Sequence, residues 1–269
     1  MDSSIPAWSL YESECLSMRY ESSWLPNSKP ELSSRLRLFC YPHAGGAASV
    51  FSSWKNRLPA GVELCALQPP GRWERHREKA HRRVSAAAED LHQNLASLLD
   101  RPCVLLGHSL GALIMYEVAC RLQKTDGSFL RHLLVAAQIA PHLPRIGRPP
   151  DFSSDEALLA WVTELYGAGR LVGLDDPTMR ELFLPLLQAD LEALGTYHYE
   201  ERPRLKCALS AFGGKEDSSS SDAGVSAWAK HTEAGFSSAM LPGDHFFLHD
   251  EKSGFLACLQ NLLEGELTR

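Results

Sequence analysis

A chain of 269 residues, 44% hydrophobic and 22% charged, is long enough to bury one sizeable core, with or without an inserted subdomain, and needs no staples. A formal charge of −6 and a pI near 6.0 argue against a nucleic-acid binder, which would carry a strongly basic surface. No apolar run approaches the roughly eighteen residues of a membrane span, and seven scattered cysteines without a CxxC pair point to a reducing compartment.

Residues 1–34 are rich in serine and proline but hold Trp8, Tyr11, Tyr20 and Trp24, so they read as an arm lying on the surface with parts packed down. No basic start followed by an apolar core marks a secretory signal, and a cytoplasmic location is expected. From 35 to 269 the pattern is that of one domain. Leu36 to Tyr41 is a short apolar strand that stops at Pro42, His43 and the pair Gly45–Gly46, and Val62 to Leu67 is a second, ending at Pro69–Pro70–Gly71. Arg72 to Lys79 mixes charges of both signs and reads as a solvated loop. Val84 to Leu99 has helical spacing, Cys103 to Leu106 is a third strand, Ala112 to Leu122 a helix and His132 to Ala137 a fourth strand.

The alternation lapses between about 141 and 203, where Ser154 to Tyr166 and Pro177 to Leu194 have helical periodicity. It resumes with strand Cys207 to Phe212, helix Val225 to His231, strand Ser237 to Leu241 and a helix from Lys252 to Leu263. Alternating strands and helices predict an α/β architecture, a mostly parallel sheet covered on both faces. The helical interruption predicts a lid inserted into it.

Gly107-His108-Ser109-Leu110-Gly111 follows a strand directly and precedes a helix directly, the context a nucleophile elbow of the α/β-hydrolase fold requires. A sharp strand-to-helix turn exposes the serine hydroxyl, and flanking glycines leave room where a Cβ would collide. The hydroxyl needs a base. His245 lies just past the last strand, where the chain order Ser, Asp, His places it; His43, His108 and His249 are rivals, with His108 expected to face away. Asp217, in the turn after strand Cys207 to Phe212, is favoured to orient the imidazole, with Glu216 and Asp222 as competitors. Backbone amides of Leu110 and of Ala44, or its neighbour His43, are the expected oxyanion donors. No metal site is expected, since His245 and His249 lack an HExxH context or a nearby third ligand, and no GxGxxG or Gly-Lys-Ser/Thr loop supports a nucleotide.

Taken together, Phe39 to Gly46, Gln68 to Arg72, Gly107 to Gly111, Leu184 to Asp190, Phe212 to Asp217 and Gly243 to Leu248 resemble the stand-alone type II thioesterases of polyketide, nonribosomal peptide and medium-chain fatty acid synthesis. The likeness runs from about Leu36 to Leu263. It departs in the long leading segment and in Leu-Gln-Ala-Asp, where an arginine is common before Ala-Asp. It implies Ser109, Asp217 and His245 as the triad, the Ala44 and Leu110 amides as oxyanion donors, and a helical lid over an acyl chamber. The implied reaction, for editing or product release, is hydrolysis of acyl thioesters on the phosphopantetheine arm of a separate acyl or peptidyl carrier protein. No cofactor belongs to the enzyme itself, and a monomer is expected. Alternatives on the same fold are an oxygen-ester carboxylesterase or lipase and an acyl-serine acyltransferase.

Overall fold

The computed structural model describes residues 22–26, 31, 33–125, 127–144, 152–167 and 176–269. Six strands form one sheet: β1 (Leu36–Tyr41), β2 (Val62–Ala66), β3 (Cys103–His108), β4 (Leu130–Ala136), β5 (Ala208–Gly214) and β6 (Phe236–Leu241). Their order is β2-β1-β3-β4-β5-β6 and all five pairings are parallel. The helices are α1 (Val84–Leu95), α2 (Leu110–Thr125), α3 (Asp155–Tyr166), α4 (Pro177–Gly195), α5 (Asp222–Ser226) and α6 (Phe255–Leu267). Short 3-10 turns add to them, including Ala48–Trp54 and Phe247–His249.

The strand residues sort by parity because successive side chains of a strand point to opposite faces. Phe39, Tyr41, Cys103 and Leu105 enter one core with α1, α2 and Trp228. Leu36, Leu38, Cys40, Val104 and Leu106 enter the other, with Phe51 and Trp54 and with Phe255, Leu259 and Leu263 of α6. A strand buried on both faces reads as a continuous apolar run, which is why β1 and β3 stand out in the sequence. The six described cysteines are free thiols, five of them buried, and serve as small hydrophobes.

One expectation needs correction. Arg72 to Lys79 is not simply a solvated loop: Arg72 and Arg75 are buried, Arg72 against Asp190, and Arg75 against Glu78 and the Trp24 ring, 4.5 Å from its guanidinium. In the leading segment, Trp24 and Leu25 pack into the core, as the aromatic content of that segment suggested for parts of it, and the Trp24 carbonyl accepts from the Gln68 amide at 2.9 Å. Residues 1–21, with the other aromatics of that segment, lie outside the described residues.

Between β4 and β5 the chain forms α3 and α4. Leu158, Trp161 and Val162 of α3 pack on Leu184, Leu187 and Leu191 of α4, and Ala44 from the loop after β1 touches the same cluster. Each helix begins on a side-chain cap: Ser154 accepts from Ala157 N, and Asp176 from Thr178 N and Met179 N. The connections at 145–151 and 168–175 lie outside the described residues. Among the described residues no helix is long and apolar enough to cross a membrane.

Candidate active site

Parallel register brings the carboxyl ends of the strands to one rim, with Tyr41 beside Gly107 and His108 beside Ala136. Crevices at that rim are the usual ligand sites of open α/β sheets. Ser109 sits there between β3 and α2 with φ of 56°, one of three described non-glycine residues in the left-handed region. Its amide donates to the Ala136 carbonyl at 2.8 Å, which holds the strained turn in place. The two glycines of the motif have separate steric reasons. A Cβ on Gly107 would lie 2.2 Å from the Gly111 carbonyl oxygen, and one on Gly111 would lie 2.5 Å from the carbonyl oxygen of Tyr41. Gly111 therefore lets the start of α2 press against the loop that leaves β1.

Asp217 follows β5 and His245 follows β6, and their side chains meet at the same rim: His245 Nδ1 lies 2.8 Å from Asp217 Oδ2. Since the carboxylate only accepts, Nδ1 carries the proton and Nε2 is left as the basic nitrogen. Asp217 also accepts from the Ser219 amide at 2.9 Å and from the hydroxyls of Ser219 and Ser220 at 2.6 and 2.7 Å. Burial pushes the Asp217 carboxyl up, but the hydrogen bond and charge of His245 and the two serine hydroxyls outweigh it, and it ends below the ordinary carboxylate value. The competitors are placed elsewhere: Glu216 accepts from the Gly243 amide, and Asp222 sits in the first turn of α5. No hydrogen bond closes between the Ser109 hydroxyl and His245, a contact that in such sites often tightens only around substrate. Their connection runs through the backbone, since His108 Nε2 lies 2.8 Å from the His245 carbonyl.

The loop after β1 turns back on itself through a 2.9 Å bond from the Gly46 amide to the His43 carbonyl. Leu110 is the first residue of α2, so its amide precedes the intrahelical ladder and is directed off the helix end. A narrow, largely apolar space is walled by Tyr41, Pro70, Leu110, Ile114, Asp190 and Ala193.

His108 is not turned away into a separate environment. It packs with His43 and His249, ring centroids 5.1 and 5.5 Å away, and Phe246 stands edge-on to His43 at 5.0 Å. Three ligand-type atoms of His43, His108 and His249 fall within 4.8 Å of one another, a convergence the pair His245 and His249 did not reveal in the sequence. Burial pushes the His43 imidazole down to about 3 and His108 well below the ordinary value, so both rings are neutral packing groups at physiological pH. The three rings pack on one another, His43 and His249 with centroids 6.4 Å apart.

Sequence reasoning missed several residues. Ser219 and Ser220 had a legible signal, a serine run directly after an aspartate, the composition of an Asx turn. Tyr166, whose ring centroid lies 4.6 Å from that of His245, had none, because α3 reaches the site only through tertiary packing. The Arg72–Asp190 pair was equally invisible.

Comparison with known proteins agrees with this geometry. Residues 36–262 match the family model described as thioesterase domain. The linear gramicidin dehydrogenase LgrE of Brevibacillus parabrevis is 34% identical over 248 residues, spanning 91% of this chain and 94% of its own. The dehydrogenase name is LgrE's; this chain has no Gly-x-Gly-x-x-Gly. The gramicidin S biosynthesis protein GrsT of Aneurinibacillus migulanus is 35% identical over 231 residues, covering 86% of this chain and 90% of its own. Among solved structures, the RedJ thioesterase from the prodiginine pathway of Streptomyces coelicolor superposes with a TM-score of 0.79 at 33% identity, covering 97% of both chains. With a serine elbow and a histidine–aspartate pair at one rim of a parallel sheet, and with 36–262 matched, the chain belongs to the thioesterase family of the α/β-hydrolase fold.

Proposed function

We propose that the chain hydrolyses acyl thioesters held on the phosphopantetheine arm of a separate acyl or peptidyl carrier protein, for editing or product release in polyketide or nonribosomal peptide synthesis. Ser109 is the nucleophile, His245 the base and Asp217 its orienting partner; the amides of Leu110 and Ala44 receive the oxyanion. The observation that carries this reading is the strained Ser109 at φ 56°, set on the rim where the 2.8 Å His245–Asp217 bond leaves a basic Nε2.

Ser109 Oγ bonds to the thioester carbonyl carbon while His245 Nε2 takes its proton. Collapse breaks the C–S bond, and the proton passes from His245 to the departing pantetheine sulfur. Water then gives a proton to His245, its oxygen bonds to the acyl carbon, and the ester bond to Ser109 breaks, releasing the acid and restoring the hydroxyl. Asp217 stays ionised and steadies the imidazolium. The enzyme supplies no cofactor; pantetheine arrives with the substrate. The names of GrsT and RedJ, a biosynthesis protein and a thioesterase of a biosynthetic pathway, support a synthase setting.

The test is intact-mass analysis of carrier proteins loaded with a panel of acyl groups, before and after exposure to the enzyme, beside matched oxygen esters. Loss of the acyl mass with free acid as product is expected. A marked preference for oxygen esters would favour an esterase, and a dominant amide, ester or lactone product would favour acyl transfer.

A further inference from the structure

We infer that Asp190 is a positioning residue for the oxyanion side of this site, through which α4 sets the loop Pro42–Gly46, with Arg72 holding Asp190 in place. The inference rests on the thioesterase reading above and adds a residue to it.

Asp190 lies near the carboxyl end of α4 and is buried, 7% exposed. A carboxylate has no use in the interior of such a helix, and removing a charge from water costs several kcal/mol unless partners compensate it. Its two partners come from outside the helix, and both use one oxygen. Asp190 Oδ2 accepts from the Gly45 amide at 2.7 Å and from the Arg72 guanidinium. The Gly45 amide belongs to the peptide that follows Ala44. Fixing its direction orients the plane of the Ala44–Gly45 peptide and so restricts rotation about Ala44 ψ, next to the Ala44 N–H.

Steric fit keeps the helix flush against that loop. Gly45 has φ of 76°, and a Cβ there would lie 2.8 Å from the Phe183 ring and 3.4 Å from Leu187, both on α4. Asp190 also borders the narrow space shared with Leu110, the residue whose amide is the other oxyanion donor.

A polar circuit closes around the loop. Arg72 donates to the Pro70 carbonyl at 3.0 Å, while its own carbonyl accepts from Gln68 Nε2 at 3.1 Å. Gln68 Oε1 in turn accepts from the Ala48 amide at 3.0 Å. The loop after β1 is thus gripped at Gly45 by Asp190 and at Ala48 by Gln68, and the two grips meet at Arg72. A pair that merely neutralised itself would need neither the Gly45 nor the Ala48 bond. Because α3 and α4 share one hydrophobic cluster that Ala44 also touches, displacement of α4 would release the donor loop. Oxyanion geometry is therefore tied to the seating of α4.

Removal of one preorganised oxyanion donor typically slows catalysis by about 100- to 1,000-fold; loosening its support should cost less. Asp190→Ala should lower kcat about 10- to 100-fold with KM within about threefold of the parent. Asp190→Asn, whose amide oxygen can still accept from Gly45, should recover part of that loss. Single removal of Arg72 or Asp190 leaves a buried charge and can unfold the protein, so the deciding variant replaces both with apolar residues, Arg72→Met with Asp190→Leu, a change that is often neutral or stabilising for buried pairs. The double variant should melt near the parent temperature yet keep the low kcat, and hydrogen exchange at residues 42–48 should run faster than in the parent.

A folded double variant with kcat within twofold of the parent would overturn the inference, as would unchanged exchange in that loop. Failure of the underlying reading looks different: the parent itself would spare acyl carriers. The Asp190 assignment is then decided by the loop exchange and by the ratio of fluorophosphonate labelling rates at Ser109, which need no thioester.

Discussion

His108 Nε2 lies 2.8 Å from the backbone carbonyl of His245, so the residue before the proposed nucleophile is bonded to the residue proposed as its base. A carbonyl only accepts, so Nε2 carries the proton and the ring is the neutral tautomer, in keeping with a fully buried imidazole whose basicity burial depresses. The bond sets how far the β6 loop stands from the elbow, a distance that the Asp217 contact alone does not fix. His108→Leu removes it and should lower kcat about tenfold, since a misplacement of about 1 Å can cost far more. Steady-state turnover on an acyl-pantetheine substrate checks this; a kcat equal to the parent's would show that the bond is dispensable.

Ser109→Ala should abolish acyl-enzyme formation while leaving the melting temperature and carrier binding close to the parent's, because the side chain makes no hydrogen bond on which the fold depends. Asp217→Asn should reduce kcat by about 10³- to 10⁴-fold through loss of the correct imidazole tautomer. Turnover near the parent rate in either variant would move the chemistry to other residues.

Gly111→Ala tests the elbow sterically. The added carbon would sit 2.5 Å from the Tyr41 carbonyl oxygen and 2.6 Å from that of Pro42, two backbone atoms that cannot swing aside as a side chain does. Destabilisation of about 3 kcal/mol or more is expected, read by urea denaturation. A variant as stable as the parent would mean that α2 can retreat from the β1 loop.

Stability should fall as the solution is acidified from neutrality. Burial lowers His43 to about 3 and His231 to about 4, in each case with neighbouring positive groups adding to the effect. Both are neutral in the folded protein, whereas in the unfolded chain they take up protons near 6.5. The unfolded state therefore binds more protons below that point. Their contribution is complete above about pH 6.5 and is lost as pH falls toward 4 and then 3, by at most about 1.4 kcal/mol per pH unit for each group. Asp217, held below its ordinary value, contributes above the carboxylate range and loses that contribution only at still lower pH. Urea denaturation at pH 7.5, 6.0 and 5.0 measures the slope. A flat or rising profile would refute it.

Much of this architecture was legible because local and global signals agree. β1 and β3 are apolar on both faces, the glycines at 107 and 111 are demanded by backbone contacts, and β1 begins and ends where its apolar run does. Departures arise where a residue's environment comes from distant chain. Arg37 lies in the apolar run of β1 yet is fully buried against Glu63 and Asp100, contacts supplied by β2 and by the turn before β3. Arg72 and Arg75 looked solvated because their partners, Asp190 and Trp24, lie far away in sequence. The last helix begins at Phe255 rather than Lys252 because Asp250 caps a separate 3-10 turn and Gly254, at φ 76°, breaks the path between them.

The placement of Trp24 bears on how the enzyme can be shortened. A version cut to the span shared with the family would leave an indole-sized slot beside Tyr41 and Arg75, and would strip the Gln68 amide of the carbonyl that now receives it. Gln68 is one end of the clasp around the loop after β1. Residues 22–26 thus behave as a wedge driven into the body of the fold, and excising them would loosen the bonds that Gln68 makes to the loop after β1.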